Sequence, residues 1–170
     1  MQRKYNKYIT NSADKTRKIG EDFSKNIRSG DFIALFGELG SGKTTFVQGL
    51  ASGLGIKKRI ISPTFIILRQ YKISPLRSPS PLRQGFAGRA GHLRGGKTTF
   101  YHVDLYRGNF DGESLAELGL AEIIENKKDI AAVEWSERMK DFLPAKRWEI
   151  RFENIGQDNR EIIMERVENE

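Results

Sequence analysis

The sequence predicts a three-layer α/β domain, with a mainly parallel central sheet closed by a C-terminal β-hairpin. Three observations carry this. Short, continuously apolar runs of the buried-strand kind ("FIALF" at 32–36 and "IAAVEW" at 130–135) alternate with stretches of helical periodicity. A glycine-rich turn joins the first such run directly to a helix. Near the C-terminus, "WEIRFE" and "REIIMERV" flank "NIGQDN", the pattern of two strands joined by a tight turn. At 170 residues the chain is long enough for one domain with a substantial core, and 1–170 is read as a single domain.

Each element has its own justification. Asn11 or Ser12 offers a helix cap. Thr16, Ile19, Phe23 and Ile27 then recur at three- and four-residue steps, and Gly30 is the expected stop. Phe32 to Phe36 is the first buried strand. After Lys43, the residues Phe46, Val47, Leu50, Ala51 and Leu54 form one helical face, which Gly55 ends. "FIILRQY", Phe65 to Tyr71, reads as a strand. So does "FYHVDLY", Phe100 to Tyr106, in which Tyr101, Val103 and Leu105 alternate with His102, Asp104 and Tyr106. A helix carrying Leu115, Leu118, Ile123 and Ile124 precedes the strand Ile130 to Trp135.

One segment fits none of these patterns. Residues 73–96 hold three of the five prolines, five glycines and a repeated "SPLR", with no periodicity. They read as a flexible loop inserted into the domain, because structureless loops of this length are uncommon in compact domains. The segment also carries four arginines and no acid, and so over half of the net charge of +7. A nucleic-acid surface spread over the whole domain is thereby disfavoured, and a lone Phe86 gives the segment little base-stacking support. There is no cysteine, which excludes disulfide and thiol chemistry. No apolar run approaches the roughly 18 residues of a membrane span, and no apolar stretch follows the basic start as a secretory signal requires. No membrane partner is expected, and a cytoplasmic location is.

The pattern G-x-x-x-x-G-K-[ST] occurs twice: in "GELGSGKTTF" (Gly37, Gly42, Lys43, Thr44) and in "GHLRGGKTTF" (Gly91, Gly96, Lys97, Thr98). Such a loop works because a buried strand delivers glycines into a tight turn and a helix begins at once. Backbone N–H groups and the helix N-terminus then face the phosphates. The lysine reaches the β- and γ-phosphates, and the following hydroxyl binds magnesium. Only the first match has a strand before it and an amphipathic helix after it. Glu38, Leu39, Gly40, Ser41, Gly42, Lys43, Thr44 and Thr45 are therefore the candidate nucleotide contacts. The second match follows a Pro/Arg/Gly-rich stretch, precedes a strand, and reads as chance overlap.

A phosphate loop needs acids at the carboxyl ends of neighbouring strands. Asp104 and Glu134 each end an apolar run and are candidates for holding magnesium, directly or through its waters, or for orienting the attacking water. "SPTF", Ser62 to Phe65, adds a candidate hydroxyl at Thr64, or simply a turn made by Ser62 and Pro63. His102 shares a face with Asp104, and a structural role is expected of it because nothing pairs it with a nucleophile. His92 lies in the insertion and has no expected role. Arg107 is either a phosphate contact or a solvated surface residue, and Trp135 is expected to pack.

Together, and in this order and spacing, "GELGSGKTTF", "SPTF", "YHVDLYR" and "VEWSE" closely resemble the TsaE family (also called YjeE or YdiB). The resemblance extends over nearly the whole chain. It implies a P-loop NTPase-like fold and a magnesium-dependent ATP hydrolase, weak without its partners. Such proteins work with TsaD and TsaB in forming N6-threonylcarbamoyladenosine beside the anticodon of tRNA, and tRNA is met through the complex rather than directly. By motif matching it assigns phosphate to Lys43, magnesium to Thr44, magnesium and the catalytic water to Asp104 and Glu134, and a switch-like loop to Thr64. The insertion departs from the family's short turn at this point and resembles mobile palindromic-repeat peptides found within bacterial coding sequences. Two other readings use the same loop: a small-molecule kinase whose arginine-bearing lid is the insertion, and a nucleotide-dependent binding module without turnover.

Overall fold

A computed structural model describes residues 5–58, 60, 67–73, 98–107 and 110–168. Its centre is a seven-stranded sheet of order β1-β7-β6-β2-β5-β4-β3. The strands are β1 (Tyr5–Thr10), β2 (Phe32–Phe36), β3 (Leu68–Ile73), β4 (Thr98–Asp104), β5 (Ile130–Glu134), β6 (Lys146–Asn154) and β7 (Arg160–Glu168). The four central strands, β6, β2, β5 and β4, run parallel. β3 lies antiparallel on one edge, while β7 and β1 continue the sheet antiparallel on the other. The predicted C-terminal hairpin is β6–β7, paired from Lys146↔Glu168 to Asn154↔Arg160.

The continuous apolarity of "FIALF" has a direct cause: helices cover both faces of β2. Ile33 and Leu35 face the layer of α1 (Ala13–Phe23) and α2 (Lys43–Gly53), where they join Phe23, Phe46, Leu50, Phe100 and Ile150 in one core. Phe32 and Ala34 face the opposite layer, with Val103, Leu105, Leu115, Leu120, Val133 and Met139. That second layer contains α3 (Gly112–Glu117) and α4 (Leu120–Glu125). The chain is thus three-layered, as read from the sequence. Among the described residues no helix is long and apolar enough to cross a membrane.

Ser12 caps α1, its side chain accepting from the Lys15 N–H at 3.2 Å. The two helices of the first layer approach closely at Gly20 and Gly49. A Cβ on Gly20 would stand 2.2 Å from the Phe46 carbonyl oxygen, and one on Gly49 only 1.9 Å from that of Arg17. This contact brings the start of α1 beside the start of α2.

Several boundaries differ from the sequence expectation. α1 ends at Phe23 and passes through a single 3₁₀ turn, Ser24–Asn26. Gly30, expected to close it, instead has φ +84° and turns the chain into β2, donating its N–H to the Asp129 carbonyl at 2.8 Å. Gly55 does sit just past α2, at φ +82°. The single helix expected after "HVDLYR" is two short ones, parted at Gly119, where φ is +68°. β1 was not anticipated. Five of its six residues are exposed, so it shows no apolar alternation and is held through its backbone pairing with β7.

β3 and β4 pair from Leu68↔Val103 to Ile73↔Thr98. Residues 74–97, which contain nearly all of the expected insertion, lie outside the described residues, but the strand ends on either side of them, Ile73 and Thr98, are directly opposed. Replacing 74–97 by an Asn-Gly turn, which suits such an antiparallel pair, is expected to leave a folded protein. Loop closure costs only about 0.6 kcal/mol per doubling of length, so the melting temperature should be equal or slightly raised. Calorimetry of the two chains checks this, and a drop of more than a few degrees would contradict it.

Candidate functional site

Period-two alternation along β4 and β5 aims Phe100, His102 and Asp104, and likewise Ile130, Ala132 and Glu134, at the α1/α2 layer. Asp104 and Glu134 are direct partners in the parallel register, side by side at the strand carboxyl ends. Leu35 of β2 is the partner of Glu134 on its other side. The turn Gly37–Gly42 and the first residues of α2 therefore rise next to both acids.

The turn has the conformation that its glycines permit. Gly37, Gly40 and Gly42 have φ of +137°, +77° and +106°. Ser41 donates its N–H to the Glu38 carbonyl at 3.2 Å, and Ser41 itself is buried, whereas Leu39 stands out at the tip, 67% exposed. Gly42 is the N-cap of α2 and no side chain caps that helix. The first N–H groups of the helix thus have no intrahelical acceptor, and the positive end of its dipole opens over the turn.

Lys43 is folded back onto this loop. Its ammonium donates to the carbonyls of Gly37 (2.5 Å) and Glu38 (2.8 Å) and sits 3.9 Å from the centre of the Trp135 ring. Burial pushes its pKa below the usual lysine value, and Glu134, Glu137, Asp104 and Glu38 oppose that shift. The charge is desolvated, and the arriving oxygens of an anion would favour it.

Glu134 is the hub of the site. It is almost wholly buried, and both its oxygens are engaged: Oε2 accepts from the Thr44 hydroxyl at 2.8 Å, and Oε1 lies 2.8 Å from His102 Nε2. His102 is fully buried and its Nδ1 has no hydrogen-bond partner among the described residues. A carboxylate only accepts, so the pair is best satisfied with the proton on Nε2. The Asp104 carboxylate accepts from the Tyr106 N–H at 3.0 Å, which curls the strand end around it.

Two of these contacts exceed what the sequence suggested. His102, expected to be structural, orients the central acid. The available signal was its position two residues before Asp104, on the same face. Trp135, expected to pack, does lie against Tyr106, with ring centres 5.0 Å apart, but also supports the Lys43 ammonium. Its φ of +61° is left-handed, a conformation that costs a non-glycine residue about 1–3 kcal/mol and concentrates at functional sites. Arg107 is exposed just past β4. Thr64 and the rest of "SPTF" lie outside the described residues. Of the second motif match only Thr98 is described. It begins β4, a strand rather than a helix, six residues and so about 20 Å from Asp104 at the other end.

The oxygen donors gathered here (the Thr44 hydroxyl and the Asp104 and Glu134 carboxylates) are the hard ligands that magnesium prefers. Uncapped N–H groups, a buried lysine and paired acids suit a nucleoside polyphosphate.

The chain is similar to known proteins. Residues 10–162 match the model of the family described as threonylcarbamoyl adenosine biosynthesis protein TsaE. The chain is 33% identical over 163 residues to the Bacillus subtilis protein named tRNA threonylcarbamoyladenosine biosynthesis protein TsaE, covering 96% of this chain and 87% of that one. It is 31% identical to the protein of the same name from Treponema pallidum, over 92% of this chain and 97% of the other. The crystal structure of Bacillus subtilis YdiB superposes with a TM-score of 0.70 at 28% identity, covering 98% of this chain and 88% of that one. With a phosphate-loop fold and a family model that matches residues 10–162, the chain belongs to the TsaE family.

Proposed function

We propose that the protein hydrolyses ATP, with magnesium, at the loop Gly37–Thr44, and that this hydrolysis supports N6-threonylcarbamoyladenosine formation in tRNA together with TsaD and TsaB. Membership of the TsaE family supports the pathway. The observation that carries the chemistry is Glu134, held by Thr44 on one oxygen and by His102 on the other, with Asp104 beside it.

Each residue has a derivable task. The N–H groups of residues 38–45 cradle the phosphates. Lys43 exchanges its contacts to the Gly37 and Glu38 carbonyls for phosphate oxygens, which stabilise its buried charge. Thr44, Asp104 and Glu134 are the residues that would hold magnesium, which when bound neutralises charge on the phosphates. A carboxylate whose donors already fix its position is suited to accept from and orient a water molecule, and Glu134 is proposed for that task. His102 keeps Glu134 in place by donating from Nε2. Trp135 holds the lysine over the loop until phosphate arrives. Thr64 is proposed as a further hydroxyl contact from the "SPTF" loop.

The test is phosphate release measured with the protein alone, and then with TsaD, TsaB and tRNA. Slow release that the partners accelerate is the expected result. ATP bound without release even in the full mixture would favour a nucleotide-dependent binding module. Transfer to a small acceptor with no free phosphate would favour a kinase.

A further inference from the structure

The two helical layers do not cover the sheet equally. On one side, Ile150 and Phe152 of β6 and Ile162 and Met164 of β7 join the α1/α2 core. On the other side, the core of the α3/α4 layer includes, among the described residues, none from β6, β7 or β1. Strand alternation therefore leaves one face of these three strands open, the face that carries Arg151, Ile163 and Lys7. We propose that this face docks a positively charged amphipathic helix of a partner protein.

Apolar groups are left uncovered there. Tyr5 and Ile9 of β1 are 60% and 62% exposed, and Ile163 of β7 is half-buried beside Lys7, midway between them. Ile163 and Phe36 line a groove of about 300 Å³, together with Gly37, the first residue of the phosphate loop. Arg151 lies 4.6 Å from the Phe36 ring and its side chain is half exposed. Elsewhere in this fold a helix covers such a strand face, and a helix with one apolar stripe is the natural cover here.

The charges state which helix fits. Two pairs of glutamates stand directly opposite one another across β6 and β7: Glu149 opposite Glu165, and Glu153 opposite Glu161. Like charges so placed destabilise a sheet. The cations of the face engage only one member of each pair. Arg147 and Arg151 both hold Glu149, and Lys7 holds Glu161. Glu153 and Glu165 have no ion pair among the described residues. On a chain of net charge +7, this face therefore keeps unbalanced acids.

Glu161, the partner of Glu153, is four residues from Glu165, so the two unbalanced acids stand about 13 Å apart along the strands, the rise of some nine helical residues. Lysines or arginines beside an apolar stripe can meet both acids while the stripe covers Tyr5, Ile9 and Ile163. The same acids repel a phosphate backbone. A second copy of this face would set acids against acids.

The probe is a synthetic fluorescent helix of roughly 18 residues, leucine on one face and lysine on the others, with a second version carrying glutamate for lysine. Both are titrated by anisotropy into the full chain: wild type, E153K/E165K, Y5S/I9S and E117K/E125K. The lysine helix should bind wild type, and the glutamate helix about tenfold more weakly or worse. E153K/E165K and Y5S/I9S should each weaken the lysine helix by about tenfold or more. E117K/E125K, on exposed residues that end α3 and α4, should change it by less than about twofold. Amide exchange slowed by the lysine helix should be confined to β1, β6 and β7. Failure of wild type to bind it, equal binding of the two helices, equal losses in E117K/E125K, or protection on other elements would overturn the proposal. So would a wild-type dimer in sedimentation that Y5S/I9S dissolves, since the face would then belong to a second copy. If the melting temperature shows that one face variant does not fold, the other variant and the pair of helices still decide.

Discussion

Replacing Lys43 by alanine should reduce ATP hydrolysis by about 10²-fold or more, with nucleotide binding weakened as well, whereas replacing Lys97 should change neither beyond about twofold. Lys43 is a buried ammonium held at the N-terminus of α2, within reach of two loop carbonyls and the ring of Trp135. Its removal takes away the positive charge that meets the phosphates, and water does not replace it in a buried position. Lys97 belongs to a stretch of matching letters whose last residue, Thr98, begins an antiparallel-paired strand. That strand end lies at the edge of the sheet away from Asp104 and Glu134. Equal losses in the two variants, measured by phosphate release and by nucleotide titration, would overturn the choice of loop.

The second large effect is expected at Glu134. Glu134→Gln keeps the shape and the contact to Thr44 but removes the charge, and turnover should fall by about 10²-fold or more while nucleotide still binds. Asp104→Asn should also lower turnover and should raise the magnesium concentration needed for half-maximal rate. His102 acts through Glu134, so its replacement should show as a loss in kcat with Kd for nucleotide unchanged. His102→Gln, which keeps a donor, should retain more activity than His102→Leu. Normal turnover in Glu134→Gln at saturating magnesium would remove that residue from the site, and a loss in His102→Leu explained wholly by a lower melting temperature would reduce the histidine to packing.

Much of this arrangement was legible because it is local. The strand–turn–helix unit from Phe32 to Leu54 announces itself by an apolar run, three glycines and a helical face in one continuous stretch. The same holds for the hairpin and for the Ser12 cap. Alternation along "FYHVDLY" was enough to put His102 and Asp104 on one face. Elements without a local signature were missed. β1 exposes five of its six side chains, so nothing in its pattern of residues distinguishes it from a polar tail. The break at Gly119 comes from a glycine at φ +68°, and α1 gives way at Ser24 to a 3₁₀ turn; the apolar periodicity, which runs on through both points, marks neither.

By itself, then, the sequence determined that a phosphate-binding turn sits between a buried strand and a helix, that two acids end neighbouring apolar runs, and that the chain closes in a hairpin. Each of these follows from side-chain periodicity and turn chemistry within a few residues. Only the tertiary structure decided which groups meet. The sheet order sets Asp104 beside Glu134, though they are far apart in the chain, and brings Thr44 and His102 onto the two oxygens of one carboxylate. It also carries Arg160, from the far end of the chain, to Gly42. These pairings depend on strand order and register, which arise from burial of whole faces across the sheet, and no short stretch of residues encodes them.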